Sequence, residues 1–470
     1  MMDGKIDMAV ATDPRPDPWH PQYEVYGNPS AGTPDNQVKP LPKQPYRDYG
    51  VERQGSPDHY WSPDIMKREW ERIWKKVWVL AGHINDIARE HRFMRFDLGK
   101  ESFLIVRGKG EEVHAFYNVC QHRGTRLETR DFGTMNEIRC PFHGWRYNNR
   151  GELTHIFQKE TFRKEAVCGN LDIPKVRVEV WRGWVFLTMN PDAPPLEDFL
   201  GAEFRALGDP YKFEKLVRVS DVIQEWPVNW KLGQEAFMEA YHVEAVHPEI
   251  ARAADTYHTQ HDLYDNGHSL SIIPFMIPNP GYEMPDGMYD DYKIMLRDSG
   301  LEDHEMPTHW TEARAAAVAA KRENQDKLGI DYSGFSDGQL VDNFMTGFFP
   351  CMTFNSHAEG TLVQRWQPHP SDPEKMIYRF QVYALEGAKR LPIYFGVAPG
   401  TEIKRGMATP VNHADTMDYA AIGPVLSQDR ALLERLVAGN HSEAYQGPVF
   451  SEQEIRLRHF WDEYYRLLDE

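Results

Sequence analysis

The first helical period in the chain is "SPDIMKREWERIWKKVW", where Ile65, Met66, Trp70 and Ile73 fall on one face. Ser62 can cap this helix, and Pro63 suits its first turn. From about Trp78 to Met189 the pattern changes. Short alternating or apolar runs, such as "SFLIVRG", "EVHAFYNV" and "GWVFLTMN", are separated by Gly, Asp and Asn. That texture predicts a small antiparallel β domain. After "PDAPPLEDFLG", strand-like pieces ("LVRVSDVIQEW", "MIYRFQVYAL") alternate with helical ones ("HWTEARAAAVAAKREN", "SQDRALLERLVAG", "SEQEIRLRHFWDEYYRLL"). Before all of this, residues 1–58 keep neither period, and nine prolines fall in the first fifty residues. They are expected to form an extended arm, ordered only against a partner surface. The expected organisation is α+β: an arm over 1–58, a β domain with its leading helix over 59–190, and a larger α+β domain over 191–470.

Composition narrows the function. The 470 residues carry a net charge of −18 and no basic stripe, which excludes a nucleic-acid partner. No apolar run is long enough to span a membrane, and the N-terminus lacks the apolar core of a signal peptide. A cytoplasmic location is expected. The four cysteines, Cys120, Cys140, Cys168 and Cys351, are too few for a disulfide scaffold.

Two of those cysteines sit beside histidines. "NVCQHRGTRL" holds Cys120 and His122, and "CPFHGWRYN" holds Cys140 and His143. Two Cys and two His fit either tetrahedral zinc or an iron–sulfur cluster. A zinc finger usually pairs Cys with Cys and His with His. Here each loop supplies one of each, which suits a Rieske [2Fe–2S] centre with both thiolates on one iron and both imidazoles on the other. A structural zinc site is the competing reading.

These loops resemble the Rieske domain of aromatic-ring-hydroxylating oxygenase α subunits. They differ from respiratory Rieske proteins, which carry two further cysteines where this chain has Thr125 and Phe142, and a Ser where it has Trp145. Fewer hydrogen bonds to sulfur predict a potential at the low end of the Rieske range.

The larger domain contains "NWKLGQEAFMEAYHVEAVHPEI", in which Glu239, His242 and His247 are spaced E-x2-H-x4-H. On a helix Glu239 and His242 would share a face. His242 and His247 would point about 140° apart, so they converge only if the helix breaks between them. Two His and one carboxylate make the facial triad of non-heme Fe(II) oxygenases. The resemblance, over roughly residues 59–468, is to Rieske non-heme iron oxygenases, and it implies Asp429 as the carboxylate, at a helix start with Gln428 before it. It also implies a helix-grip catalytic domain, O2 as co-substrate, and electrons passed singly from the cluster to the mononuclear iron. It further implies a head-to-tail homotrimer, with or without a β subunit, in which His143 of one subunit, Glu239 of the next and His242 form the bridge. Glu at this position, where many ring dihydroxylases have Asp, suits monooxygenating and demethylating members.

No nucleotide-binding fingerprint is present, so NAD(P)H acts only through a separate reductase or ferredoxin. The stretches "HSLSIIPFMIPNPGYEM" and "DNFMTGFFPCMTFNSH" are expected to line a pocket for a hydrophobic, aromatic or polycyclic substrate. Demethylation of an N- or O-methyl group, including those of quaternary ammonium compounds, is the alternative. A Rieske electron carrier without oxygenase activity is a third reading.

Overall fold

The computed structural model describes residue 44 and the chain from 47 to 469, apart from 51, 53, 258, 280, 283–285, 399 and 408. Most of the proline-rich arm lies outside the described residues.

The leading helix begins as its sequence indicates. Ser62 accepts from the Ile65 amide at the start of the α-helix Pro63–Glu69. The helix then widens into a π turn, Trp70–Trp74, so that Glu69, Trp70, Ile73 and Trp74 are all buried. Glu69, which the sequence reading did not place, ends in the core. Its carboxylate accepts from Lys231 Nζ at 2.5 Å, Tyr464 Oη at 2.6 Å and Trp230 Nε1 at 3.1 Å. A buried carboxylate is tolerable only when paired and hydrogen-bonded in this way.

Three small sheets follow. Val113–Tyr117, Glu101–Arg107, Arg92–Leu98 and Phe132–Thr134 pair antiparallel in that order. Val79–His83, Trp184–Thr188 and Arg177–Trp181 form a second sheet. Ile138–Arg139, Arg146–Tyr147 and Leu153–His155 form a third, which carries the second Cys/His loop.

The larger half is built on one eight-stranded sheet. Its order is Gln260–Leu263, Ser269–Ile273, Asn343–Phe348, Met352–His357, Gly360–Pro368, Met376–Leu385, Leu216–Trp226 and Asn412–His413. The described pairings are antiparallel except the last, where Val222 and Ile223 run parallel to Asn412 and His413. Helices Trp310–Glu323, Pro424–Asn440 and Ile455–Asp469 flank it. Among the described residues no helix is long and apolar enough to cross a membrane.

One apolar core runs through both halves. Trp184 packs against Phe354 and Tyr383, with ring centroids 4.6 and 4.9 Å apart. Fully buried Arg365 donates to the carbonyls of Leu80 and Ala81. Arg218 Nε donates to Asp86 at 2.8 Å. The Cys/His lobe keeps a separate small core, in which Phe93, Phe116 and Tyr147 surround Cys120 and Cys140. The β lobe is therefore fixed to the larger half, not tethered beside it.

Candidate functional site

The two Cys/His loops are tight turns of matching design. Gly124 N donates to Cys120 O and Gly144 N to Cys140 O, while Cys120 N and Cys140 N donate to the carbonyls of Thr125 and Trp145. Both glycines have φ near +70°, a conformation that favours Gly. The turns bring the His122 and His143 rings to 4.6 Å between centroids. Trp145 stacks on His122 at 4.8 Å, almost parallel. Cys120 and Cys140 are buried, and burial, with Cys140 alongside, raises the Cys120 pKa. Nδ1 of His122 and Nδ1 of His143 are buried with no hydrogen-bond partner. A pair of thiols and a pair of orphaned imidazole nitrogens, each drawn from both loops, match the donor set of a two-iron cluster. The sequence reading did not single out Tyr147, whose hydroxyl lies 3.4 Å from Cys120 Sγ and accepts from the Gln121 amide. It restores one hydrogen bond to sulfur. The face of this lobe is open: Phe142 is 56% exposed, with Arg123 over its ring.

The second group forms differently from the helix expected. The α-helix Trp230–Ala236 ends before Glu239, so Glu239 and His242 do not share a helix face. They meet through a loop instead. Glu239 Oε2 accepts from the His242 amide at 3.0 Å, and Oε1 lies 2.5 Å from His242 Nδ1. One turn, Val243–Val246, follows, and His247 breaks out at φ −122°, ψ 59° before Pro248. That break turns the two imidazoles toward each other, with centroids 5.3 Å apart. Asp429 is not a helix cap. It lies in the second turn of Pro424–Asn440, buried.

Ligand atoms of His242, His247 and Asp429 all lie within 4.8 Å of one another. Asp429 Oδ1 is 2.8 Å from His247 Nε2 and 3.4 Å from His242 Nε2. The opposite ring nitrogens are held from behind: His242 Nδ1 by Glu239, and His247 Nδ1 by Gln428 Oε1 at 2.7 Å. Gln428 thus has a role that the sequence reading did not assign. Burial would lower the His242 pKa, but Glu239 and Asp429 outweigh it and raise it to about 10. Burial likewise opposes ionisation of Asp429, and the two histidines reverse this and lower its pKa. Two imidazoles aimed at one carboxylate, each oriented by an outer acceptor, suit a divalent cation.

A cavity of about 380 Å3 is lined by residues close to this group in sequence, though not by His242, His247 or Asp429 themselves. Val425, one helical turn before Asp429, and Ile250, three residues after His247, line it. Phe275, Met276, Ile294, Met295, Leu340 and Val341 make much of the remaining wall. The stretch 342–357 contributes Asn343, Asn355 and His357 rather than its aromatics. Phe344, Phe348 and Phe354 point to the other face of their strands and enter the core.

A family model described as "Ring hydroxylating alpha subunit (catalytic domain)" matches residues 213–470, and a "Rieske [2Fe-2S] domain" model matches residues 77–170. The chain belongs to the family of ring-hydroxylating oxygenase α subunits, which carry a Rieske cluster and a mononuclear iron. It is 29% identical over 343 residues to the biphenyl 2,3-dioxygenase α subunit of Rhodococcus jostii, covering 69% of this chain and 68% of that one. It is 30% identical over 220 residues to the glycine betaine monooxygenase oxygenase subunit of Pseudomonas aeruginosa, covering 45% of this chain. That match spans half the length of the Pseudomonas protein. Among solved structures, a quaternary ammonium Rieske monooxygenase with L-carnitine superposes with a TM-score of 0.62 at 20% identity, covering 90% of this chain and 99% of the other. Naphthalene 1,2-dioxygenase from Rhodococcus sp. with indole gives 0.58 at 18%, covering 88% and 94%.

Proposed function

We propose that this protein is a terminal oxygenase that hydroxylates a hydrophobic small molecule, taking electrons from a separate reductase or ferredoxin. The observation that carries this reading is the second group: His242 and His247 present Nε2 to Asp429, and both Nδ1 atoms are already engaged. Cys120, His122, Cys140 and His143 would hold the [2Fe–2S] cluster, and His242, His247 and Asp429 the Fe(II). When bound, the two centres supply single electrons and O2 activation. The chain's own part is positional. Glu239 fixes His242 and would lie at the electron entry, while Val425 and Ile250, close to the ligands in sequence, shape a largely apolar space and keep bulk water from it. Transfer between subunits of a homotrimer, from His143 to a neighbour's Glu239, is supported by the exposure of Phe142 beside His143 and of Tyr241 beside His242. Domains at 59–190 and 191–470 and a cytoplasmic location complete the reading.

A demethylating monooxygenase is the second reading, favoured by Glu239 and by the glycine betaine relative. The cavity wall gives a quaternary ammonium substrate mixed support, since Asp291 and Asp298 lie in it. Its aromatic residues are Phe275 and Tyr394, too few for a cation cage.

Stopped-flow reoxidation of the reduced cluster by O2 tests the proposal. It should be fast in the presence of substrate and slow in His247→Ala. Equal rates in the two proteins would refute it.

A further inference from the structure

Part of the cavity wall is polar: Asp291, Asp298 and Lys321 carry ionisable groups, and Asn343, Asn355 and His357 add amide and imidazole groups. Asn355 and His357 are two apart on the strand Met352–His357, so both point to the cavity face. Asn355 Nδ2 donates to Asn343 Oδ1 at 3.3 Å, yet Asn355 Oδ1 is buried with no hydrogen-bond partner. His357 Nδ1 lies 3.1 Å from Tyr394 Oη, which leaves Asn355 Oδ1 as the unpaired buried atom of the two side chains. Native buried polar atoms are rarely left in this state, and a ligand is one way to satisfy them.

The wall also controls charge. Lys321 reaches the cavity, but its Nζ donates to Glu359 Oε1 and Leu340 O, both at 2.8 Å. Tyr332 Oη donates to the same carboxylate oxygen at 2.9 Å. The ammonium is therefore neutralised within the wall. Burial, with Lys321 adding to it, lowers the His357 pKa to about 4, so the ring is uncharged at neutral pH.

We infer that Asn355 and His357 form a specificity site for an uncharged oxygen function, a hydroxyl or carbonyl, on an otherwise apolar substrate. The inference rests on the proposed oxygenase reading and deepens it. A hydroxyl would donate to Asn355 Oδ1 and accept from His357 Nε2–H, and a carbonyl would take the latter bond. A plain hydrocarbon would leave both unmade, which a site built to hydrogen-bond its substrate penalises. Positioned there, the apolar remainder of the molecule extends toward Val425 and Ile250, close in sequence to the metal ligands.

The test uses the holoenzyme under anaerobic conditions and measures dissociation constants for biphenyl and 4-hydroxybiphenyl by equilibrium dialysis. The expected result is at least tenfold tighter binding of the hydroxylated compound. In Asn355→Leu the preference should disappear while biphenyl binding is retained. His357→Phe provides an independent variant, and the wild-type comparison needs neither. Equal affinities in the wild type, or a preference that survives both substitutions, would overturn the inference while leaving the oxygenase reading intact. Binding of carnitine with no binding of either biphenyl would overturn the inference and the hydrophobic-substrate reading together.

Discussion

Glu239 Oε1 lies 2.5 Å from Nδ1 of His242, and the same carboxylate accepts from the His242 backbone amide. One side chain thus sets the ring's tautomer, its orientation and the local backbone. The other ring nitrogen is left for Asp429 and a metal.

Glu239→Gln should therefore keep the fold and both metals but turn over more slowly. Loss of an outer partner of a metal-bound His costs on the order of 10- to 100-fold. Steady-state O2 uptake with a surrogate reductase, alongside iron content, checks this. A Gln variant with normal turnover would remove Glu239 from the electron path.

Asp429→Ala should lose the mononuclear iron and keep the visible spectrum of the cluster, because the two donor sets are separate. Iron assay and absorption spectra would show a chain with cluster iron only. A colourless variant would contradict separate sites.

The Tyr147 hydroxyl lies 3.4 Å from Cys120 Sγ. A hydrogen bond to the ligand sulfur favours the reduced cluster, so Tyr147→Phe should lower its reduction potential. A difference of about 1 kcal/mol between oxidation states corresponds to roughly 40 mV for one electron. Voltammetry of the purified protein reads this directly, and an unchanged potential would show that the contact carries no electronic weight.

Glu235 gives a pH dependence away from both metals. It lies partly buried one turn from Lys231, but Glu69 holds that ammonium, so Glu235 is left with neutral donors, Tyr60 Oη and Trp461 Nε1, each at 2.9 Å. Burial raises its pKa to about 7. The folded chain then keeps a proton that the unfolded chain releases above its ordinary value of 4.5. Its contribution is complete below that value and is lost as pH rises to about 7. The loss is at most roughly 3.5 kcal/mol, at about 1.4 kcal/mol per pH unit. Melting temperatures across pH 4.5–7 should fall more in the wild type than in Glu235→Gln. Parallel curves would contradict the shift.

Much of this was legible in the sequence because the signals were local. Leu216–Trp226 and Met376–Leu385 read as strands from their apolar and β-branched content, and they pair along their full length. The Cys/His spacing marked the first donor set. The misses arose where tertiary contacts overrode local preference. "EAFMEAYHVEAV" is rich in good helix formers, yet the helix stops at Ala236. Phe237 packs on Trp366, with centroids 5.1 Å apart, and Glu239 captures the His242 amide, so side chains replace the helical hydrogen bonds. The core position of Glu69 was not legible because its partners Lys231 and Tyr464 are distant in sequence. The Phe-rich stretch 344–354 suggested a cavity wall, but strand alternation sends those rings to the core and Asn343 and Asn355 to the cavity.

The most direct measurement is product mass spectrometry under 18O2. The protein would be supplied with a surrogate reductase, ferredoxin and NADH, and with a panel of aromatic, steroid and N- or O-methyl compounds. The expected result is a product of a largely apolar compound carrying oxygen from 18O2, absent in Asp429→Ala. Consumption of NADH and O2 with no labelled product from any compound, or the same product from Asp429→Ala, would contradict oxygenation at the His242–His247–Asp429 site.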